Sequence, residues 1–321
     1  MHHRTVPFVL ACLAAAANAQ GLPAQFDHDR IYFVANAPDR SILRFHTDTG
    51  GGWNAIGRST SERLHLRAAG QIQIEGGKTS LVDFPAFLKR AGIPAPSSEP
   101  WLKGHLAVAP DETLLGADGF LGSRWFAGGI WRIDYPGRSF SSVRNWSPAL
   151  EDHPVALGFR SDKDGKRAFN FPRVAITVAG RPIDVLLDTG ATVKLTDIAA
   201  AAFQAKPGTL VGASYIVTSI FEEWQTTHPS WRVIAQADLV TGRVFPMIEV
   251  PEVSIADVTF GPVWFTQRPD AEFRERMSQM MDKQIDGAIG GSGLKYLRIV
   301  LDYPGAIAYV QMPRGGPAQS R

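Results

Sequence analysis

Short runs of apolar residues, bounded by Gly and Pro, recur along this chain. Two of these runs, at residues 31–34 and 174–178, each lead through a turn into a second strand-like run. Runs of this length and spacing predict β-strands joined by tight turns. Helical patterns are few and fall at 84–90, 199–206 and 271–282. We therefore predict an all-β fold with minor helices.

The chain contains an internal repeat. The second run of each pair ends in Asp-Thr-Gly, at residues 48–50 and 188–190. Each copy is followed by Asp-Gly-x-hydrophobic-Gly, at 118–122 and 286–290. The tetrapeptide Asp-Tyr-Pro-Gly begins sixteen positions after the first residue of each of these segments. Self-similarity of this kind predicts two copies of one structural unit, related by a pseudo-twofold axis.

Asp48 and Asp188 are the candidate catalytic residues. Two carboxyl groups about a hydrogen bond apart cannot both ionise, so one stays protonated while the other acts as general base on a shared water. Each carboxyl group must lie on a tight loop after a buried strand, where glycine permits the turn. A threonine hydroxyl can then hydrogen-bond across to the partner loop. The supporting residues are therefore Thr49, Gly50, Thr189 and Gly190.

In motif and order, each half resembles one lobe of the aspartic proteases of the retroviral and pepsin type, including bacterial aspartyl-protease-like families. The resemblance covers roughly residues 30 to 310. It implies two tandem retropepsin-like β-barrel lobes with a cleft between them. It also implies that the segments ending in Gly122 and Gly290 thread past the two Asp-Thr-Gly loops and brace them.

The function that this resemblance implies is an exported aspartic endopeptidase. A water activated between Asp48 and Asp188 would hydrolyse the peptide bond, with no covalent intermediate, no metal and no cofactor. An extended peptide would add as a strand against a flap. Gly76 and Gly77 form the tip of a candidate flap hairpin within residues 71–82, and residues 212–215 and 240–243 compete for its counterpart in the second lobe.

The first motif departs from the family pattern. The residues before Asp48, at 44–47, are more polar than the family usually shows, and Gly51 and Ala191 stand where pepsin-like enzymes carry Ser or Thr. A second interpretation therefore stays open, in which the chain is a catalytically silent protein of this fold that binds peptides. A third keeps the enzyme but assembles its site between two copies of the second lobe.

Other polar residues lie beside the two motifs. In an extended strand, alternation turns His46 to the same face as Asp48, and we interpret it as a structural histidine whose polar atoms are satisfied. Asp118 and Asp286 precede the glycine of the second repeated segment, and we expect them to accept hydrogen bonds from backbone amides of their own loops.

Residues 1–19 have the pattern of a secretory signal: a basic start, an apolar stretch and the small residues 17–19 before the cleavage site. The mature protein would then be periplasmic or extracellular. Cys12 offers an alternative, because residues 9–12 faintly resemble a lipoprotein box. If the segment is removed, the mature chain has no cysteine, which excludes disulfides, thiolate metal sites and thiol nucleophiles.

The length and the charge balance of the chain limit the classes of partner that we expect. The 321 residues divide into the signal segment, a first lobe at 20–145, a second lobe at 146–312 and a disordered tail at 313–321. With 33 Lys and Arg against 31 Asp and Glu, the charge balance favours neither nucleic acid nor an acidic surface. No later apolar run is long enough to insert into a membrane. We expect a monomer that acts on a peptide or protein substrate.

Overall fold

The computed structural model describes residues 18–74, 77–88, 93–97, 101–240 and 242–313. Most of the predicted signal segment, including Cys12, lies outside the described residues, as do Gly76 and residues 314–321 of the predicted tail. Asn18 and Ala19, the last two residues of the predicted signal, belong to the first strand.

Strands make up most of the regular structure. In the first half they are β1 (Asn18–Gly21), β2 (Ala24–Asp27), β3 (Arg30–Asn36), β4 (Ile42–Thr47), β5 (Asn54–Gly57), β6 (Ala68–Ile74), β7 (Gly77–Val82), β8 (Leu106–Ala109), β9 (Gly119–Leu121), β10 (Ile130–Asp134) and β11 (Ser139–Arg144). In the second half they are β12 (His153–Ala156), β13 (Arg173–Val178), β14 (Arg181–Leu187), β15 (Thr192–Lys194), β16 (Leu210–Gly212), β17 (Ser214–Val217), β18 (Val233–Val240), β19 (Arg243–Val250), β20 (Val253–Ile255), β21 (Val258–Phe260), β22 (Val263–Arg268), β23 (Gly287–Ile289), β24 (Arg298–Asp302) and β25 (Ile307–Gln311).

The helices are short. They are α1 (Arg58–Arg63), α2 (Ser123–Phe126), α3 (Asp197–Ala202), α4 (Thr218–Thr227) and α5 (Gly291–Leu294), with 3-10 turns at Asp111–Leu114 and Met277–Met280 and a π-helical turn at Ala271–Arg276. The prediction of an all-β fold with minor helices is confirmed. Within the part of the chain that is described, no helix is long and apolar enough to span a membrane.

The helix predicted at 84–90 is wrong over the described residues 84–88, which are irregular. The Leu88 amide donates to the Asn36 carbonyl at 3.0 Å, and the Phe84 ring lies 5.9 Å from the ring of Phe45 in the core. These contacts with the neighbouring sheet outweigh a weak helical propensity. The other two predicted helices are present in part, as α3 and as the turns at Ala271–Arg276 and Met277–Met280.

The repeat seen in the sequence is also a repeat of strand topology. In the first half β4 pairs parallel with β9, β9 pairs antiparallel with β5, and β5 pairs parallel with β8. In the second half β14, β23, β17 and β22 make the same three pairings in the same order. Each Asp-Thr-Gly loop therefore leaves a strand that lies beside the strand of the second repeated segment.

The second half carries an insertion beside its Asp-Thr-Gly loop. Asn54, the first residue of β5, follows Asp48 by 6 positions, whereas Ser214, the first residue of β17, follows Asp188 by 26. Strands β15 and β16 and helix α3 fill the additional length. By topology α1 therefore corresponds to α4, and the β6–β7 hairpin corresponds to the β18–β19 hairpin that contains Val240 and Arg243.

The two halves meet in one sheet. Its strand order is β1-β11-β10-β24-β25-β12, so three strands come from each half. At its centre β10 and β24 run antiparallel, with Ile130 opposite Asp302 and Asp134 opposite Arg298. A twofold rotation exchanges these two pairs, because the copies are aligned at Asp134 and Asp302. The Arg298 guanidinium also pairs with the Asp134 carboxylate at 2.8 Å.

Alternation along the strands builds the core. Leu43 and Phe45 of β4 and Val185 and Leu187 of β14 point inward and are almost completely buried. Buried residues of both halves form one continuous apolar cluster. Each fully buried side chain of this size contributes about 1.5–3 kcal/mol through removal of apolar surface from water. The Asp-Thr-Gly loops therefore start from strands that are anchored at their inner faces.

Candidate active site

Each aspartate is placed by the strand that crosses beside it. The Asp48 amide donates to the Leu121 carbonyl of β9, and the Asp188 amide donates to the Ile289 carbonyl of β23, both at 2.9 Å. Each bond continues a parallel strand pair by one residue beyond its end. The segments that end in Gly122 and Gly290 therefore contact the aspartate loops, in the place where sequence analysis expects them.

Thr49 and Thr189 connect the two loops. The Thr49 amide donates to the Thr189 hydroxyl at 3.1 Å, and the Thr189 amide donates to the Thr49 hydroxyl at 3.0 Å. Each hydroxyl in turn donates to a carbonyl of the opposite loop, Thr49 to Leu187 at 2.6 Å and Thr189 to Thr47 at 3.4 Å. Both threonines are fully buried. The four bonds fix the position of one half's loop relative to the other.

The structure brings the carboxyl groups of Asp48 and Asp188 together, and they hydrogen-bond to each other. The Gly50 amide donates to the Asp48 Oδ1 atom at 2.7 Å, and the Gly190 amide donates to the Asp188 Oδ1 atom at 3.0 Å. Both aspartates are half-buried, so one side of the pair remains open. Asp188 thus has its partner carboxyl in the same chain, without a second copy of the second lobe.

Gly50 and Gly190 make room for this pairing. A Cβ atom on Gly50 would lie less than 3.0 Å from the Asp188 carboxyl, and one on Gly190 would lie equally close to the Asp48 carboxyl. Any side chain at either position would push the opposite carboxyl aside. The glycines therefore serve the partner loop as well as their own turn.

The pair holds protons more tightly than free carboxyl groups. Burial raises the pKa of both aspartates, and the negative charge of Asp188 raises the pKa of Asp48 further. The amides of Gly50 and Gly190, which donate to these carboxyls, oppose the shift. Two neighbouring carboxyls with raised pKa values share one proton over a wide pH range. Such a pair contains a hydrogen-bond donor and a base side by side.

Gly122 and Gly290 lie where no side chain fits. A Cβ atom on Gly122 would come within 3.0 Å of the carbonyls of Gly51 and Trp53, and one on Gly290 would do the same to those of Asp188 and Ala213. This approach lets both bracing segments touch the aspartate loops directly.

Sequence analysis missed two residues that hold these glycines. The Gly122 amide donates to the Asn54 side chain and the Gly290 amide to the Ser214 hydroxyl, both at 3.0 Å. Asn54 and Ser214 open β5 and β17, the equivalent strands of the two halves. Their residue types differ and the insertion shifts their spacing, so no repeated signal marked them.

The candidate flap is a two-stranded hairpin next to the first aspartate loop. Strands β6 and β7 pair antiparallel, ending with Ile74 opposite Gly77, and Gly76 lies outside the described residues. A cavity of about 420 Å³ is lined by Ile74, Lys78 and Thr79 of the hairpin and by Trp53 and Phe120, among others. A Cβ atom on Gly51 would touch both the Phe120 ring and the Asp48 carboxyl. Phe120 therefore contacts both the cavity and the aspartate loop, although neither aspartate lines the cavity.

Asp118 and Asp286 bond differently from the prediction. The Asp118 carboxylate accepts from the Arg44 amide of β4 at 2.9 Å and from the Thr60 hydroxyl at 3.0 Å. Asp286 accepts from the Arg274 guanidinium at 2.7 Å. Neither of these contacts is with an amide of its own loop, because the neighbouring strand and side chains offer closer donors.

His46 is buried but is not satisfied as predicted. Its ring lies 5.2 Å from the Tyr32 ring and 6.0 Å from the Phe120 ring. Burial, reinforced by the positive charges of Arg30 and Arg44, lowers the pKa of His46 to about 3. Its Nε2 atom has no hydrogen-bond partner within the described part of the chain. The histidine is therefore neutral at ordinary pH and has an unpaired ring nitrogen.

Among the described residues, no group of three or more His, Cys, Asp or Glu side chains could hold a metal ion. No protein-family model matches the chain, and no curated protein sequence matches it. Two similar solved structures are basic 7S globulin from soybean and conglutin gamma, a basic 7S globulin from lupine seeds. Each has a TM-score of 0.47 and covers 92% of this chain and 95% of its own, at 9% and 10% identity respectively. The strands of this chain form two halves with the same order of pairings, joined in one six-stranded sheet.

Proposed function

We propose that the chain is an aspartic endopeptidase that hydrolyses peptide bonds with a water activated between Asp48 and Asp188. The observation that carries this proposal is the hydrogen-bonded carboxyl pair, held in register by the reciprocal Thr49 and Thr189 bonds. An aspartate that serves only in a turn or as a helix cap does not need a second carboxyl group beside it. Burying that second group costs free energy.

In the proposed reaction the charged carboxyl takes a proton from the water while the water oxygen bonds to the carbonyl carbon. The protonated carboxyl gives its proton to the carbonyl oxygen, which yields a neutral diol. In the collapse of the diol, the carboxyl that is now charged takes a proton from one diol hydroxyl, which becomes the new carbonyl, while the other carboxyl gives its proton to the leaving nitrogen and the carbon–nitrogen bond breaks. The raised pKa values of Asp48 and Asp188 support this role, because they keep one proton on the pair.

The substrate of this enzyme would be an extended peptide bound between the carboxyl pair and the β6–β7 hairpin. The cavity lined by Ile74, Trp53 and Phe120 would take an apolar side chain. Both carboxyls come from one chain, so the proposed enzyme works as a monomer. The signal pattern at residues 1–19 supports export to a periplasm or out of the cell as part of this proposal.

A peptide-binding protein without hydrolytic activity is the second candidate. One observation favours it: the approach to Asp48 carries Arg44 and His46, whereas Asp184 and Leu186 precede Asp188 at the same spacings. The two carboxyl groups therefore have different surroundings. Two carboxyl groups that act as one catalytic unit do not need such a difference.

One experiment separates the two candidates. Cleavage of a mixed peptide library is measured for the full chain and for Asp48→Asn and Asp188→Asn. We expect hydrolysis by the wild type and equal loss in both variants, because the carboxyls act together. Asp257→Asn is the matched control, since its carboxylate is almost fully exposed. A wild type that binds library peptides without cleaving them would contradict the enzyme and favour the binding protein.

A further inference from the structure

The sheet face that leads to Asp48 carries an unusual set of polar residues. Tyr32 of β3 lies opposite His46 of β4, and Val34 lies opposite Arg44. Successive residues of a strand point to opposite faces, so Arg44 and His46 share a face with Asp48. Phe45 lies between them on the opposite face and is fully buried in the core.

Four residues on this face form one cluster, which we call the arginine cluster: Arg30, Tyr32, Arg44 and His46. The guanidinium groups of Arg30 and Arg44 lie over the Tyr32 ring, at 5.0 and 4.2 Å from its centre. Arg30, Tyr32 and His46 are at most 3% exposed. The cluster is therefore positively charged and largely closed to solvent.

Several polar side-chain atoms of the cluster are unpaired. Within the described residues, no hydrogen-bond partner lies near Nε and Nη2 of Arg30, Nε of Arg44 or Nε2 of His46. Asp27 pairs with the cluster, with its carboxylate 3.6 Å from the Arg44 guanidinium and about half exposed. Buried charged donors are normally paired, and an unpaired guanidinium is costly. The cluster thus lacks about one negative charge.

The second half supplies an internal comparison. Arg173 lies opposite Leu186 in β13 and β14, as Tyr32 lies opposite His46 in the first half. The Arg173 guanidinium bonds to Asp184 at 2.6 Å and to both oxygens of Asp282 at 2.8 Å. The basic residue on the Asp188 side is therefore neutralised within the fold, and the charge deficit is confined to the Asp48 side.

We infer that the arginine cluster is a subsite for an acidic substrate side chain, Asp or Glu, close to the scissile bond. The inference rests on the proposed function and specifies its substrate class. The planar guanidinium fork binds a carboxylate through two parallel hydrogen bonds. A substrate carboxylate would replace Asp27 on Arg44, which is partly exposed, while the buried Arg30 would contribute its positive charge without direct contact.

The position of the cluster fits a residue next to the bond that is cleaved. His46 precedes Asp48 by two residues of extended chain, about 7 Å. The Phe120 ring contacts His46 on one side and lies against Gly51 of the aspartate loop on the other. A peptide whose carbonyl lies at the carboxyl pair therefore has its neighbouring side chain within reach of the cluster.

The test compares paired peptides that differ only by Glu or Gln at one position on either side of the cleaved bond. For the full wild-type chain we expect kcat/KM to be at least about tenfold higher with Glu at one position, the gain typical of a charge-assisted hydrogen bond. Arg44→Gln should bring this ratio to about one, and Arg30→Gln should lower it by removing a nearby positive charge. A wild-type ratio of about one at every position, or a ratio that survives Arg44→Gln, would overturn the inference.

Two further variants keep the test decisive. Asp27→Asn removes the competing carboxylate from a half-exposed site and should raise the Glu-to-Gln ratio. Arg181→Gln removes an exposed arginine that pairs with Glu223 and should leave the ratio unchanged. If Arg30→Gln fails to fold, the test uses Arg44→Gln and Asp27→Asn. Both of these residues are partly exposed, so we expect these variants to fold.

Failure of the inference is distinguishable from failure of the proposed function. If the wild type cleaves no peptide, the endopeptidase proposal is wrong, and equilibrium binding of the same labelled Glu and Gln peptides replaces kinetics. Tighter binding of the Glu peptide that is lost in Arg44→Gln would still support the subsite. Equal binding of both peptides would overturn it.

Discussion

The carboxyl pair depends on residues that have no side chain. Gly190 lies against the Asp48 carboxyl and Gly50 against that of Asp188, each too close for a Cβ atom. Because these contacts cross between the halves, a small change in one loop displaces the aspartate of the other. The structure therefore predicts that activity is more sensitive than stability to a methyl group at either position.

Gly190→Ala tests this dependence. The added Cβ atom would come within 3.0 Å of the Asp48 carboxyl, so the pair must move apart. We expect kcat/KM to fall by about a hundredfold or more, since a misplacement of about 1 Å has that effect. Gly21→Ala is the control, because a Cβ atom there meets nothing within 4 Å. Near-normal hydrolysis by Gly190→Ala would show that the pair does not act as the catalytic unit.

The pH dependence of activity belongs to the same residues. Burial raises the pKa of both Asp48 and Asp188, and Ala191 offers no hydroxyl that could stabilise the charged form. Activity requires one proton on the pair, so it is lost as pH rises through the higher pKa of the pair and as pH falls through the lower one. Because both values are raised, we expect an optimum in the weakly acidic to neutral range.

Ala191→Ser should move that optimum to lower pH. A hydroxyl donated to the ionised carboxyl favours its charged form and lowers both pKa values of the pair. Gly51 does not allow the same change, because its Cβ atom would lie less than 3.0 Å from the Phe120 ring. Ala175→Ser, on the exposed part of β13, is the control. The expected role of the hydroxyl would be contradicted if the two limbs of the pH–rate profile did not shift in Ala191→Ser, or if the wild type had its optimum in strong acid.

At the scale of elements, the β6–β7 hairpin has two glycines that need a left-handed backbone, Gly70 with φ 123° and Gly77 with φ 139°. Gly77 is beside the hairpin tip and the cavity, whereas Gly70 is at the far end, next to a register shift. Alanine strains the backbone at both, at a cost of about 1–3 kcal/mol. We expect Gly77→Ala to lower kcat/KM several-fold and Gly70→Ala to lower only the melting temperature. Equal kinetic effects would exclude a flap role for this hairpin.

The sequence predicts those elements whose residue types repeat in both halves. It misses the elements whose position depends on packing and strand pairing. The Asp-Thr-Gly and Asp-Tyr-Pro-Gly copies reveal two lobes, because the same loop geometry demands the same residues in both. Nothing in the sequence shows that α4, and not α3, matches α1, since that equivalence follows from pairing of β17 with β22 and β23. The arginine cluster is likewise invisible, because its members meet only through the register of β3 and β4.

At the scale of the whole molecule, the halves are joined in two places. Strands β10 and β24 pair in the shared sheet, and Thr49 and Thr189 exchange buried hydrogen bonds at the carboxyl pair. Apolar residues of both halves also belong to one core. Neither half can unfold without exposing the buried surface of the other, so we expect the lobes to unfold as one cooperative unit.

Thr49→Val tests this coupling. Valine keeps the shape of threonine but leaves the Thr189 amide and the Leu187 carbonyl without their buried partner. We expect a loss of about 1–3 kcal/mol in the free energy of unfolding. Calorimetry should still record a single transition, at a lower temperature, because the defect lies where both halves meet. Thr226→Val is the control, since that exposed hydroxyl bonds to the Glu222 carbonyl within α4. Two separate transitions in the wild type, or an unchanged melting temperature in Thr49→Val, would mean that the halves fold independently and that their contact at the carboxyl pair stabilises neither.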